Sequence, residues 1–261
     1  MDTYIKEIKS EKMTFRHARG ASLMSGREFH PYHEIILFMG AHAVLYSETQ
    51  RTEISPNTLI VIPKETYHQL SIVGEKESYT RCVLNFYDTE ELLPFIGKAM
   101  NGLSITTPGE VVLDLFGLLM RTADSGVGGR EGELILGSAL TLLLSELKCG
   151  TLVAESAFPI DSLVSESISY IIDNLSLDLS ISGIARQLNV SESHLSHTFK
   201  KEMNIPIHKY IMKKRLAAAF EMISTGTPVT IAAEECGFCE YSNFFRQYKR
   251  EFGFSPSNSR K

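Results

Sequence analysis

Cysteine is scarce in this chain, with four among 261 residues. That is too few for a disulfide scaffold, so a reducing cytoplasm is the expected compartment. Long apolar runs are missing as well. The most apolar stretches, residues 111–120 and 134–147, are broken by Asp114, Ser138, Thr141, Ser145 and Glu146. Neither approaches the ~20 apolar residues of a membrane span, and no membrane association is expected. Met1 to Glu7 lacks the apolar centre of a secretion signal. Positive charge is not in excess either, since the formal net charge is −5. Residues 1–160 carry 14 Lys/Arg against 20 Asp/Glu, and residues 161–261 carry 12 against 11. The strongly basic footprint usual for a nucleic-acid-binding domain is therefore absent. Gly126, Gly128 and Gly129 lack the Lys-Ser/Thr of a phosphate loop. Neither Phe15-Arg16-His17 nor the serine-rich runs assemble a nucleophile with a base, so no catalytic residue and no cofactor are expected.

What is present is ordinary globular composition, 43% hydrophobic and 22% charged, at a length that suits two domains. Between Phe15 and Tyr87 short β-rich runs alternate with turn signals: residues 35–40, 43–46, 58–63, 69–74 and 80–86 read as strands of a small barrel or sandwich. From Glu90 the pattern becomes helical. Residues 111–121 and 133–148 look like an antiparallel helix pair around the glycine-rich loop 124–130, with apolar faces that must pack on the barrel or on a second subunit. The best linker is 149–160, separating an N-terminal domain of residues 1–148 from a helical domain of residues 161–261.

The second domain contains one pattern twice. Ile181 to Glu202 and Val229 to Glu251 align at an offset of 48 residues that becomes 49 after a one-residue insertion. Each copy reads as a short helix, a tight turn and a second amphipathic helix with basic residues at its end. The two modules span about 180–203 and 228–252, with Ser180 and Ser191 placed to cap helices and a long helix, 207–224, between the copies. A helix-turn-helix of this kind puts its second helix into a DNA major groove. Positive charge, thin overall, gathers at Lys200-Lys201, Lys213-Lys214-Arg215 and from Arg246 to Arg250. Core spacing takes Ile184, Leu188, Val190, Leu195 and Phe199 in the first copy, and Ala232, Cys236, Phe238, Phe244 and Tyr248 in the second. The reading positions left outside are Ser193, Ser196, His197 and Lys200, then Tyr241, Ser242, Asn243, Phe245, Arg246 and Lys249. Ser, Asn and Arg can read base edges, an aromatic can meet a thymine methyl, and Lys suits phosphate. The alternative is a plain helical bundle with solvated polar faces.

Residues 161–260 resemble the DNA-binding domain of AraC-family transcriptional regulators. The resemblance is carried by Ala233-Glu234-Glu235-Cys236-Gly237-Phe238 and by the run from Asn243 to Pro256, where the family pattern has Gly-Phe, Phe, Phe-Lys, Phe-Gly and a closing Pro. Three positions depart from it: Ala232 stands for Ile, Tyr248 for Phe, and Ser259 for an aromatic. The resemblance implies a two-domain α+β protein, a cupin-like β-barrel and antiparallel helix pair followed by an all-α tandem helix-turn-helix domain. It also implies double-stranded DNA as partner, a small-molecule effector, a homodimer, and RNA polymerase if the protein is an activator.

The N-terminal signal is weaker. Phe29-His30-Pro31-Tyr32-His33-Glu34 and Pro63-Lys64-Glu65-Thr66-Tyr67-His68 resemble the two cupin motifs, which makes His30, His33, Glu34 and His68 the expected effector-binding residues. Imidazole and carboxylate suit a divalent metal. The metal-binding cupin spacing is His-x-His, however, and here it is His-x-x-His, so no metal is expected. A metal-dependent cupin enzyme with a DNA-binding tail stays open as an alternative, as does an effector-independent regulator whose barrel only dimerises. Cys236-Gly237-Phe238-Cys239 lacks the second ligand pair of a zinc site and reads as a buried small hydrophobe in the second module.

Overall fold

The computed structural model describes residues 4–20, 29–48, 50–73, 79–149 and 157–260. The chain divides into two compact units whose principal boundary lies between Phe158 and Pro159. Most of the expected linker, residues 150–156, and Gly74 at the end of the expected strand 69–74 fall outside the described residues.

The strands are β1 (Tyr4–Lys9), β2 (Met13–Arg19), β3 (His33–Gly40), β4 (His42–Ser47), β5 (Gln50–Ile54), β6 (Thr58–Ile62), β7 (His68–Val73), β8 (Thr80–Phe86), β9 (Ser104–Thr106) and β10 (Ala157–Pro159), all in the N-terminal unit except residues 46–47, 50–51 and 159, which group with the second. They form two antiparallel sheets, ordered β1-β2-β8-β3-β6-β9 and β10-β5-β4-β7. Among the described residues these sheets do not close into a barrel. Ile36 and Phe38 on β3, Ile60 and Ile62 on β6 and Val83 on β8 meet Ala43, Leu45 and Ile54 of the second sheet in one buried cluster. Two sheets that interdigitate in this way form a sandwich.

The other face of the six-stranded sheet is also covered. Ile35 and Leu37 on β3, Leu59 and Val61 on β6, and Leu84 and Phe86 on β8 alternate with the residues just named and join a second cluster. That is why β3 reads as a continuous apolar run: it is buried on both faces. The cover is helical, from α1 (Leu93–Ala99), α2 (Glu110–Asp124) and α3 (Gly129–Cys149). Val112, Phe116, Leu119 and Ala123 of α2 and Leu136, Ala139, Leu140, Leu143, Leu144 and Leu147 of α3 belong to this core. The apolar helix pair therefore packs on its own sheet. It still leaves Val111, Leu118, Leu134 and Leu142 exposed, the last two at 59%.

The C-terminal unit is helical: α4 (Ser162–Asp173), α5 (Ile181–Gln187), α6 (Glu192–Met203), α7 (Ile207–Ser224), α8 (Val229–Glu235) and α9 (Tyr241–Phe252), with a closing 3-10 turn at Pro256–Arg260. Local chemistry sets the helix ends. The Asp161 carboxylate accepts from the Leu163 amide, Ser180 Oγ from Gly183 and Ser191 Oγ from His194. Asn204 and Gly253 close α6 and α9 in the left-handed conformation. α7 carries no single apolar stripe because it serves both copies. Its first half buries Ile207, Tyr210 and Ile211, and its second half buries Leu216, Ala219 and Ile223. The second group shares a cluster with Ala232, Ala233, Cys236, Phe238, Phe244, Tyr248 and Phe252.

Two of the departures from the family pattern explain one another. Tyr248 Oη and Ser259 Oγ lie 2.6 Å apart in a buried hydrogen bond. A phenol in the core needs a partner, and a serine in place of an aromatic supplies it.

Candidate nucleic-acid interface and effector site

α6 and α9 superpose in sequence at the offset of 49. Leu195, Phe199 and Met203 are buried on α6, and their counterparts Phe244, Tyr248 and Phe252 are buried on α9. Residues four and seven positions apart share a helix face. Ser193, His197 and Lys200 accordingly form an exposed stripe on α6, and Ser242, Arg246 and Lys249 form the matching stripe on α9. Ser196 and Phe245, also equivalent, flank these stripes half-buried, and Tyr241 stands exposed at the start of α9.

The two stripes differ in chemistry. On α9 the Asn243 side-chain oxygen accepts from Arg246 Nη2 at 3.2 Å and from Gln247 Nε2 at 3.4 Å. Tyr241 packs on Phe244 and Phe245, with ring centroids 6.0 and 6.3 Å apart. On α6 the corresponding positions offer hydroxyls, an imidazole and Lys200. The exposed His194 and Lys201 also lie on α6, and Gln247 on α9; core spacing alone did not single them out as reading residues.

The third basic cluster does not lie open to phosphate. Lys213 Nζ pairs with Glu251 Oε1 at 2.6 Å, and Arg215 donates to three backbone carbonyls. Cys236 is buried and Cys239 exposed, and neither forms a disulfide. Burial pushes the Cys236 thiol up to about 11, as suits a small core hydrophobe.

In the N-terminal half, two of the four expected residues, Glu34 and His68, come together. The Glu34 carboxylate and the His68 imidazole face one another, their side chains 12% and 8% exposed, and His30 is buried as well. His68 Nε2 is 3.1 Å from Glu34 Oε2, and His68 Nδ1 faces the Thr66 carbonyl at 3.0 Å. With Nδ1–H donated to the carbonyl, Nε2 is left as an acceptor facing the carboxylate, an arrangement that a cation between them would complete.

His33 does not join them. It stacks on Phe86, with ring centroids 5.2 Å apart, accepts the Lys64 amide on Nδ1 at 3.1 Å, and donates from Nε2 to Asp88 Oδ1 at 2.8 Å. The reason is strand alternation. Glu34 shares its face with Ile36 and Phe38 between the sheets, while His33 shares the helix-covered face with Ile35 and Leu37. The period of two was already in the sequence and separates these adjacent residues; motif spacing alone had grouped them.

Burial raises the Asp88 carboxyl, but the hydrogen bond and charge of Lys64, 2.9 Å away, together with His33, outweigh it and hold the group below its usual value. A carboxylate so depressed stabilises the fold above the ordinary aspartate value of about 4, and that contribution is lost as pH falls through the lower folded value. Asp88→Asn should therefore flatten the acid side of the stability profile. Urea melts of the two proteins between neutral pH and pH 3 test this, and parallel profiles would count against it.

Comparison with known proteins decides the family. The model of a helix-turn-helix domain family matches residues 184–261. The HTH-type transcriptional activator AarP of Providencia stuartii is 32% identical over 97 residues, covering 37% of this chain and 72% of that protein. The chain belongs to the AraC family. The arabinose operon regulatory protein of Escherichia coli (strain K12) is 32% identical over 151 residues, covering 56% of this chain and 50% of that protein. The chain thus spans about half the length of the first curated relatives it matches. The C-terminal domain of AraT, a response regulator from Geobacillus stearothermophilus, matches at 31% identity with a TM-score of 0.38, covering 39% of this chain and 85% of that one.

Proposed function

We propose that this AraC-family chain is a sequence-specific, double-stranded-DNA-binding transcriptional regulator of the cytoplasm, without enzymatic activity of its own. One observation carries the reading: two equivalent exposed stripes, Ser193-His197-Lys200 and Ser242-Arg246-Lys249, on two equivalent helices whose opposite faces are core. Helix-turn-helix dimers engage half-sites one helical turn, about 10 base pairs, apart, and the same spacing is expected of the two units joined here in one chain. Selection of the full chain against a random duplex pool should enrich two short boxes at that separation. Recovery of an unenriched pool overturns the reading.

Control resides in the N-terminal half. Glu34 and His68 pair at 3.1 Å with little exposure, and their chemistry favours either a divalent cation or an effector carrying hydrogen-bond donors. A molecule that occupies the group raises the melting temperature by mass action. Screening the full chain against zinc, manganese and hydroxylated small molecules should find such a rise, and Glu34→Gln should abolish it. A rise that survives Glu34→Gln places the effector elsewhere. No rise at all favours an effector-independent regulator whose N-terminal half only dimerises. The exposed leucines of α2 and α3 suit pairing with a second copy of the chain, and RNA polymerase is the further partner if the output is activation.

A further inference from the structure

Arg215 lies on α7, the helix shared by both modules, and its guanidinium is consumed by backbone. Nε donates to the Leu175 carbonyl at 3.0 Å, Nη2 to Leu177 at 2.6 Å and Nη1 to Gly237 at 2.8 Å. The first two carbonyls belong to the connection that leads from α4 into α5 of the first module. The third belongs to the turn that leads from α8 into α9 of the second. Gly237 has a φ of +77°, and a Cβ there would stand 2.8 Å from the Leu175 oxygen and 2.9 Å from Arg215 Cζ. The turn of the second module is thus pressed directly against the approach to the first, with the guanidinium between them. Three donors in a rigid planar fork fix the relative placement of three carbonyls; an ammonium on a flexible stem does not reproduce that geometry.

We propose that Arg215 is the positioning residue that holds the second module against the first, and so sets the one separation between DNA boxes that α6 and α9 can occupy together. The inference rests on the reading of α6 and α9 as the DNA-contacting helices. Three of the five guanidinium N–H donors of Arg215 are engaged by the protein, so its role is argued through those carbonyls and not through DNA. Its effect reaches the DNA through the Gly237 turn, which sets the starting direction of α9, and through the Leu175–Leu177 connection, which sets that of α5. Loss of the fork leaves α7 and its two half-cores intact, so each module keeps its own base preference while their mutual phase loosens.

The test uses the full chain and a series of duplexes built from its selected site, with the separation of the two boxes changed by one or two base pairs in either direction. The wild type should discriminate steeply, with roughly tenfold or greater loss of affinity at the altered separations, in the range that a broken base contact produces. Arg215→Gln and Arg215→Lys should both flatten that profile to within about threefold, while preference for the sequence inside each box is retained. Thermal melts identify a variant that fails to fold, and Arg215→Lys, which keeps the charge and the aliphatic stem, then carries the comparison. A variant that melts earlier but keeps the wild-type spacing profile has lost stability alone, and that result overturns the proposal. A wild type that selects no DNA at all overturns the DNA reading and this inference with it. A wild type that selects DNA but tolerates every separation overturns only the inference.

Discussion

Replacing Arg246 with alanine is expected to weaken binding to the selected duplex by about 1–3 kcal/mol, roughly a 5- to 150-fold loss. The side chain is exposed at the centre of the Ser242-Arg246-Lys249 stripe, and its guanidinium donates to Asn243. A guanidinium fork can meet a guanine edge bidentately, and truncation removes that contact. The equivalent change on α6, His197→Ala, should cost clearly less, since a single imidazole has no bidentate match to a base. Lys249→Ala gives a third pattern. It should weaken all duplexes about equally and reduce the salt slope by about one. Competition titrations at two salt concentrations separate these outcomes. If Arg246→Ala weakens scrambled DNA as much as the selected site, its contact is to phosphate and the assignment of readout to α9 is wrong.

This inequality between the copies was legible in the sequence, because the duplicated pattern lets each outer position be compared with its partner: Ser196 with Phe245, His197 with Arg246. Helical periodicity also separated core from outer face on the second helix of each copy, as Leu195 and Phe199 or Phe244 and Tyr248 show, whereas Leu188 and Val190, expected in the first core, are only half-buried. What the residue types did not reveal was commitment. Lys213 and Arg215 look like any basic cluster until Glu251 and three carbonyls are seen to occupy them. Long-range partners of this kind, 22 to 40 residues away in the chain, leave no local signature. The N-terminal half was harder for a different reason. On β1 only Ile8 is buried, and β5 turns just Thr52 and Ile54 inward, so these strands lack the apolar runs that announce a buried strand. The buried pairing of Tyr248 with Ser259 shows the same limit from the other side. Two positions that each looked like a weakening of the family pattern are one hydrogen bond.

The helix pair poses the sharpest division, since its apolar residues are shared between a core and a surface. Phe116 is fully buried against the sheet, with its ring centroid 6.3 Å from that of Phe15. Phe116→Ala should cost about 3–5 kcal/mol of stability, through lost transfer energy and the cavity left between α2 and β2. Leu134 and Leu142 lie two turns apart on α3 and are 59% exposed. Leu134→Ser together with Leu142→Ser should change stability of the monomeric fold by less than about 1 kcal/mol. If these leucines form the seam with a second copy, that pair of changes instead converts a dimer into a monomer at micromolar concentration. Phe116→Ala should show the opposite pattern, a large fall in denaturation midpoint with the mass unchanged wherever the chain remains folded. An isologous seam is built from the same patch on both subunits, so substitutions on α3 act twice at one interface, and two serines suffice to open it. Light scattering and denaturant melts on the same samples distinguish core from seam, and a wild-type chain that is already monomeric without ligand or DNA refutes constitutive pairing through α3.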